Sequence, residues 1–149
     1  MSTAVNTRCS IARSLEILGQ KWSLLIVREA LFGRTRFSEF RERLGVAPDV
    51  LTDRLARLVE AGILDRRSYR EDGARERHEY VLTEAGKNLR PVLAALAEWG
   101  DEYRPTGYGP AVRYVETATG DPVHLAFLSP DGRQVRDTDV SAVRGPGAA

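Results

Sequence analysis

A change in hydrophobic period at Gly62 is the feature that most constrains what this chain can fold into. Before this glycine, apolar residues recur at the three- and four-residue spacing of amphipathic helices, and after it the period changes and residues 63–69 resemble a strand. The pair Asp72-Gly73 follows, as in a β-hairpin turn, and residues 79–82 resemble the returning strand. Helical spacing returns after Thr83. This order predicts a mainly helical domain with a small two-stranded ribbon.

Four helical segments are predicted before the ribbon. They cover 10–18, 21–32, 38–44 and a segment that begins at Pro48, a favoured first helical residue, and stops at Gly62. The second segment is apolar on most sides, which is typical of a buried helix. Ser38 is the predicted N-cap of the third segment. The predicted buried stripe of the fourth segment consists of Leu51, Leu55, Leu58 and Val59.

The ribbon is predicted to consist of strands at 63–69 and 79–82. A long helix is predicted from Thr83 to about Tyr103, with Leu89, Leu93, Leu96 and Tyr103 on one apolar face. Pro91 is expected to kink this helix or cost it one hydrogen bond.

The segment after Arg104 changes character. Residues 105–110 have the composition of a linker, and alternation over 112–116 and 123–127 predicts a small β-meander. Residues 144–149 are expected to be disordered. The prediction is therefore a domain over 1–104 and a β-rich extension over 105–149.

Composition excludes several classes of protein and site. No apolar run in the 149 residues is long enough to span a membrane, and a single cysteine, Cys9, cannot form an intrachain disulfide. Neither His78 nor His124 has a second ligand near it in sequence, so no metal site is expected. No phosphate loop and no acid–base pair is recognisable, so we expect no cofactor, no enzyme activity and a cytoplasmic location.

The formal net charge of +1 argues, taken alone, against a nucleic-acid partner, because DNA phosphates are normally met by excess positive charge. The distribution of that charge is uneven. Residues 34–77 carry eleven basic and nine acidic side chains, and all of the basic ones are arginines, whereas residues 78–149 are net negative. The near-neutral total therefore does not exclude DNA.

Two short helices joined by a glycine-containing turn, followed by a ribbon and a long helix, give the order of a winged helix-turn-helix fold. The sequence also resembles the HxlR-type transcriptional regulators, relatives of the MarR group, over about residues 9–104. The resemblance rests on four separated stretches in the same order: CSIARSLEILGQKWSLLIVREALFG, RFSEFRERLG, VLTDRLARLVEAGIL and EYVLTEAGKNLRPVLAALAEWG.

This resemblance implies a homodimeric regulator, most often a repressor, that binds double-stranded operator DNA. It also implies a dimer interface built from the N-terminal helices and the long C-terminal helix. A small-molecule effector is a further partner that it leaves open, because the aromatic residues fit either a core or a ligand pocket. The residues assigned to the dimer or ligand pocket are Leu15, Leu18, Trp22, Leu93, Leu96, Trp99 and Tyr103.

The second helix of a helix-turn-helix motif enters the major groove. The face opposite the buried leucines, together with its flanks, supplies the predicted reading residues. Two of them are acidic, and they fit two interpretations: anions favoured at a helix N-terminus, or acceptors for cytosine. The predicted reading residues are Pro48, Asp49, Val50, Thr52, Asp53, Arg54 and Arg57.

Arginines of the ribbon are predicted to contact DNA phosphates, since a wing lies along the backbone. The alternative is a solvated hairpin, whose acidic neighbours balance these charges. The predicted backbone contacts are Arg36, Arg66, Arg67, Arg70, Arg75 and Arg77.

Cys9 precedes the first helix, where a helix dipole favours a reactive thiolate. Some HxlR-type proteins use an N-terminal cysteine to sense oxidants, so the resemblance implies a thiol sensor. The alternative is a small residue that packs at the dimer interface. Because the chain has one cysteine, a switch requires a Cys9–Cys9 bond between subunits or an adduct.

Two other functions stay open at this point. One is a winged-helix interaction module that no longer binds DNA, for which the acidic reading face and the near-neutral charge argue. The other is a small-molecule receptor that uses a dimer pocket or the β-rich extension.

Overall fold

The computed structural model of the protein describes residues 8–147. Its first four helices are α1 (Ser10–Leu18), α2 (Lys21–Leu31), α3 (Phe37–Leu44) and α4 (Pro48–Glu60). All four predicted segments are confirmed to within one or two residues. The start of α3 differs, because its N-cap is Arg36 and not Ser38.

A glycine ends α4 for a geometric reason. After α4, Gly62 has a φ of 72°, a conformation that residues with a side chain rarely adopt. The amide of Gly62 donates to the Val59 carbonyl and that of Ile63 donates to the Leu58 carbonyl, which is the Schellman pattern. The chain is thereby turned out of the helix and directly into the first strand.

The wing consists of β1 (Leu64–Tyr69) and β2 (Arg77–Leu82), paired antiparallel with Arg66 opposite Tyr80 and Tyr69 opposite Arg77. A third segment joins its edge. The Tyr80 amide donates to the Thr35 carbonyl at 2.7 Å, and Arg36 forms a bridge with Glu79. The residues just before α3 are therefore hydrogen-bonded to the wing.

Aliphatic residues and one phenylalanine form the core of this region. The predicted stripe of α4 is confirmed, since Leu51, Leu55 and Leu58 are almost completely buried, while Val59 is half-buried. These side chains hold α4 in place so that its opposite face is left for solvent. Other residues of this core are Ile26, Val27, Phe40, Val46 and Leu64.

The predicted long helix is wrong as one element. The structure has a short α5 (Glu84–Lys87) and then α6 (Arg90–Tyr103). Pro91 explains the break, because it has no amide to donate to the Lys87 carbonyl and its ring would clash there. It lies in the first turn of α6 and does not kink a continuous helix.

Residues 104–147 contain less strand than the alternation predicts. The two small strands β3 (Phe127–Leu128) and β4 (Gln134–Val135) pair with each other, and Val115 and Pro122 form a single bridge. Most side chains here are exposed, so the alternating pattern has no core to face. Of the predicted disordered end, residues 144–147 lie outside helices and strands, and 148–149 lie outside the described residues.

The architecture is mainly helical with a small β-wing, and the predicted winged helix-turn-helix class is confirmed. Two compact units divide after Arg90, so that α6 is grouped with the residues that follow it. The domain limits 1–104 and 105–149 remain a prediction. Within residues 8–147, no helix has the length and apolar character that a membrane crossing requires.

Candidate DNA-binding surface

The first turn of α4 is exposed. Pro48 is the first helical residue, and Ala47 before it offers no side-chain cap. The Thr52 hydroxyl donates to the Pro48 carbonyl at 2.8 Å, which leaves its oxygen free to accept. Asp49 is exposed and forms no ion pair within the described part of the chain. A carboxylate is favoured there by the helix dipole.

The second acidic residue of the predicted reading face has a different environment. Asp53 lies beyond the first turn, so the helix-dipole interpretation was wrong for it, because that effect fades within one turn. Its Oδ2 accepts from Arg57 Nε at 3.0 Å and lies 3.1 Å from Arg54 Nη1. Two guanidinium groups thus already balance its charge.

Arg54 points towards α1 and not only towards solvent. Its side chain is 19% exposed, and its Nε is buried without a hydrogen-bond partner. It lies in a cleft of ≈ 320 Å³ between α4 and α1, which Glu16 and Glu60 also line. Arg57, in contrast, is mostly exposed.

A basic cleft of ≈ 390 Å³ lies between the start of α3 and the wing. Three guanidinium groups line it, those of Arg36, Arg66 and Arg77, and no carboxylate of the described residues does. Such a lining suits an anion such as a backbone phosphate. The sequence predicted these three arginines, and the structure brings them together. The remaining lining residues are Phe37, Ser38, Tyr69, His78 and Tyr80.

Arg36 is held by contacts that the sequence did not reveal. Its guanidinium carbon lies 4.7 Å from the centre of the Tyr69 ring, and its Nη2 lies 2.9 Å from Glu71 Oε1. Stacking on an aromatic ring fixes the plane of the guanidinium group. The sequence carries no signal for this contact, because Arg36 and Tyr69 lie 33 positions apart in different elements.

The other wing arginines divide by their partners. Arg70 Nε donates to the Ala74 carbonyl at 3.0 Å and so braces the turn, while Arg67 lies 3.9 Å from Asp65. Among the residues that the structure describes, no side-chain partner occurs for Arg66, Arg75 or Arg77. The solvated-hairpin alternative therefore fits Arg67 and Arg70 better than these three.

A carboxylate fixes the start of α3. Glu39 Oε2 accepts from the backbone amides of Arg36 and Thr35, each at 2.9 Å. The Arg36 amide, followed by the Thr35 amide, lowers the pKa of Glu39 below its usual value. This acidic residue is structural, and it positions Arg36 at the edge of the basic cleft.

The residues predicted for a dimer or ligand pocket fall into two groups. Leu18 and Leu93 are buried in the protomer and Trp22 is half-buried. On α1, Ile11 is 73% and Leu15 is 56% exposed. On α6, the exposed residues share one face and form a stripe that consists of Val92, Leu96, Trp99 and Tyr103.

Cys9 is the N-cap of α1, and its side chain is exposed in the protomer. In the described residues, no group of three or more histidine, cysteine, aspartate or glutamate side chains is placed to hold a metal ion. Because the Cys9 side chain is exposed, a reagent in solution can reach its thiol in the protomer.

Comparisons with known proteins agree with this arrangement. Residues 17–108 match the family of HxlR-like helix-turn-helix proteins. An uncharacterized HTH-type transcriptional regulator of Mycobacterium tuberculosis is 40% identical over 93% of this chain and 87% of its own.

Solved structures give two kinds of match. The crystal structure of the transcription factor PA1607 is 37% identical, covers 93% of this chain and 96% of its own, and superposes with a TM-score of 0.80. The redox regulator HypR in its oxidized form is 32% identical and covers 64% of this chain and 98% of its own, with a TM-score of 0.58. The longer matches thus include most of the residues after α6.

Proposed function

The chain belongs to the HxlR-like helix-turn-helix family of transcriptional regulators, and on that premise we propose that it is a homodimeric repressor of a pseudo-palindromic operator. The observation that carries the proposal is the basic cleft between the start of α3 and the wing. Among the described residues, three guanidinium groups and no carboxylate line this cleft, and the first turn of α4 is exposed. The cleft takes backbone phosphates and the start of α4 enters the major groove.

In this proposal the predicted contact residues have separate tasks. Pro48, Asp49, Val50 and Thr52 approach base edges, and Arg57 lies beside them with Asp53. Arg54 holds Asp53 and faces α1, so it contributes to the shape of the motif. The phosphate contacts come from Arg36, Arg66, Arg67, Arg70, Arg75 and Arg77, of which Arg66, Arg75 and Arg77 contribute most.

A second copy of the chain is the proposed partner for the exposed apolar residues of α1 and α6. Ile11 and Leu15 on α1, and the α6 stripe, are larger apolar surfaces than an isolated protomer needs to expose. A two-fold dimer places two copies of α4 about one helical turn of DNA apart, which suits a pseudo-palindrome.

The experiment that tests DNA recognition is a fluorescence anisotropy titration with DNA fragments that flank the protein's own gene. We expect binding to one fragment to survive excess unrelated DNA and to weaken between ~50 and ~200 mM salt. Footprints should show two half-sites about ten base pairs apart. Absence of binding to every flanking fragment at ~50 mM salt would support the interaction module instead.

The dimer is tested by sedimentation of Leu15→Lys and Leu96→Glu variants. Both side chains are exposed, so the protomer should fold, while the dimer dissociation constant should rise by at least about tenfold. Leu128→Lys is the matched control, because Leu128 is similarly exposed but lies outside both apolar surfaces. An unchanged dimer in both test variants would refute this interface.

A second candidate function is regulation through the thiol of Cys9, supported by its exposure and by the similarity to a redox regulator. In this scheme an oxidant such as diamide takes two electrons and two protons from two Cys9 thiols, and a disulfide forms between subunits. Oxidant-induced release of DNA should then disappear in Cys9→Ala. Release that persists unchanged in this variant would leave the cysteine a structural residue.

A further inference from the structure

A groove in the second unit has no role in the surfaces described so far. It has a volume of ≈ 500 Å³, which lies within the usual range of small-molecule sites. One wall is α6 and the other is the segment 125–127. The lining residues are Ala95, Glu98, Trp99, Glu102, Tyr103, Leu125, Ala126, Phe127 and Asp137.

Specific contacts position the second wall of the groove. Glu98 Oε1 accepts from the Leu125 amide at 3.1 Å, and it lies 3.7 Å from His124 Nδ1. Two residues further along, Phe127 belongs to β3, which pairs with β4. A carboxylate of α6 thus anchors the segment that carries the third aromatic ring of the groove.

Aromatic rings cover much of the groove surface. The ring centres of Trp99 and Tyr103 are 5.5 Å apart with an angle of 42° between their planes, and Phe127 lies on the opposite wall. All three side chains are about half exposed. Aromatic faces attract cations. The chain itself uses this property, since the Arg104 guanidinium lies 5.5 Å from the Trp99 ring centre.

The charge of the groove has one sign. Glu98, Glu102 and Asp137 line it, and among residues 8–147 no lysine or arginine does. Within the described residues, Glu102 and Asp137 have no side-chain ion pair or hydrogen bond. These carboxylates are not placed to hold a metal ion together.

We propose that this groove binds an organic cation with an aromatic body, such as a quaternary onium compound. The aromatic rings take the apolar body, and the two unpaired carboxylates face the charge. Trp99 and Tyr103 belong both to the groove and to the exposed stripe of α6, so an occupant touches the proposed dimer surface. Resting on the proposed function, the cation is the effector that alters DNA affinity.

The test uses two probes of nearly equal size and opposite charge, tetraphenylphosphonium and tetraphenylborate. Trp22→Phe leaves Trp99 as the sole tryptophan, and its fluorescence then reports occupancy. The phosphonium ion should bind at least about tenfold more tightly than the borate ion. Equal affinities, or tighter binding of the borate ion, would overturn the proposal.

Variants locate the charge that matters. In Glu102→Gln/Asp137→Asn, the affinity for tetraphenylphosphonium should fall about tenfold, because both carboxylates facing the ligand are neutral. The matched control is Asp101→Asn/Asp121→Asn, which removes the same charge outside the groove and should bind as before. Equal losses in the two double variants would mean general electrostatic attraction and would refute the site.

The effector role has its own readout. Saturating tetraphenylphosphonium should change the affinity for operator DNA at least about fivefold, the lower end of typical allosteric coupling. An unchanged DNA affinity overturns the effector role, whereas the titration without DNA decides the site. A protein that binds no flanking DNA even without the cation contradicts the proposed function, and the fluorescence result is unaffected.

Discussion

The middle of α4 and the wing use their charges in opposite ways. At α4, the carboxylate of Asp53 is balanced by Arg54 and Arg57, so the charge of these two arginines is partly neutralised by an ion pair within the protein. In the wing, Arg66 and Arg77 line the basic cleft without side-chain partners in the described chain. Net charge counts both sets equally. Whether an arginine already forms an ion pair with a carboxylate, rather than the net charge of +1, therefore decides whether it is available to an anion such as phosphate.

The largest effect should come from removing the unpaired wing arginines. In Arg66→Ala/Arg75→Ala/Arg77→Ala, DNA affinity at ~0.1 M salt should fall about 100-fold, and the slope of log K against log salt should decrease by up to ~3. Anisotropy titrations at several salt concentrations measure both quantities. The control Arg113→Ala/Arg133→Ala/Arg144→Ala removes the same charge from the C-terminal segment. Equal salt slopes for the two triple variants would show that the wing arginines contribute no more to DNA binding than arginines elsewhere on the surface.

The second effect concerns the scaffold under the wing. A Cβ at Gly86 would lie 2.3 Å from the Ile63 carbonyl oxygen and 2.8 Å from Leu82 Cδ2. Gly86→Ala should therefore lower the free energy of unfolding by ~1–3 kcal/mol, measured by urea denaturation. The salt slope of DNA binding should not change, because no charge is lost.

Gly100→Ala is the matched control for this scaffold prediction. Space is open at Gly100 in α6, so the variant should gain ~0.5–1 kcal/mol. Similar unfolding free energies for the two variants would show that the close approach at Gly86 is unimportant.

A smaller effect is expected for the acidic residue that caps α3. Glu39→Gln should cost ~1 kcal/mol near neutral pH, because a neutral amide accepts the two backbone bonds less well. The lowered pKa of Glu39 in the folded state means that its carboxylate stabilises the fold above the usual value of 4.5. This stabilisation is lost as the pH falls through the lowered pKa.

Urea denaturation of the wild type and Glu39→Gln across this acid range measures the effect. The stability gap between them should close as the pH falls. Glu42→Gln, on the exposed side of the same helix, is the control and should show no such gap. A constant gap at all pH values would exclude the charge as its cause.

The smallest effect separates the two acidic residues of α4. Asp49→Asn should strengthen binding to nonspecific DNA by ~2–5-fold, because an unpaired negative charge is removed. Asp53→Asn should change it less, since two arginines already balance that carboxylate. If Asp49 accepts from a cytosine, binding to the operator should weaken while nonspecific binding strengthens. A larger gain for Asp53→Asn than for Asp49→Asn would show that Arg54 and Arg57 do not balance the charge of Asp53.

Much of the fold was predictable because its signals are local. Gly62 ends α4 through its own φ, and the leucine stripe of α4 follows from a period that needs no tertiary information. The break before α6 was not predicted, although Pro91 lies at this position in the sequence. The sequence does not show whether a chain tolerates a proline by kinking or by starting a new helix.

For the basic cleft and for the groove beside α6, the sequence allowed some of the residue types to be predicted, but not which residues contact each other. The wing arginines could be named from the hairpin, whereas the stacking of Arg36 on Tyr69 joins residues 33 positions apart. The groove beside α6 combines Glu102 with Asp137, which no sequence period connects. In the C-terminal segment, alternation suggested more strand than exists, because most of its side chains are exposed and have no apolar surface to face.

The bond between the Tyr80 amide and the Thr35 carbonyl, together with the bridge between Arg36 and Glu79, has a consequence for the cost of recognition. These contacts hold β2 of the wing against the residues just before α3 in the protein without a ligand. The main chain that carries the wing arginines is therefore pre-organised, so that its ordering costs little further conformational entropy when a ligand binds. In the proposed complex, the wing arginines are presented at a spacing that is set before binding, so DNA whose phosphates do not match this spacing should bind less tightly.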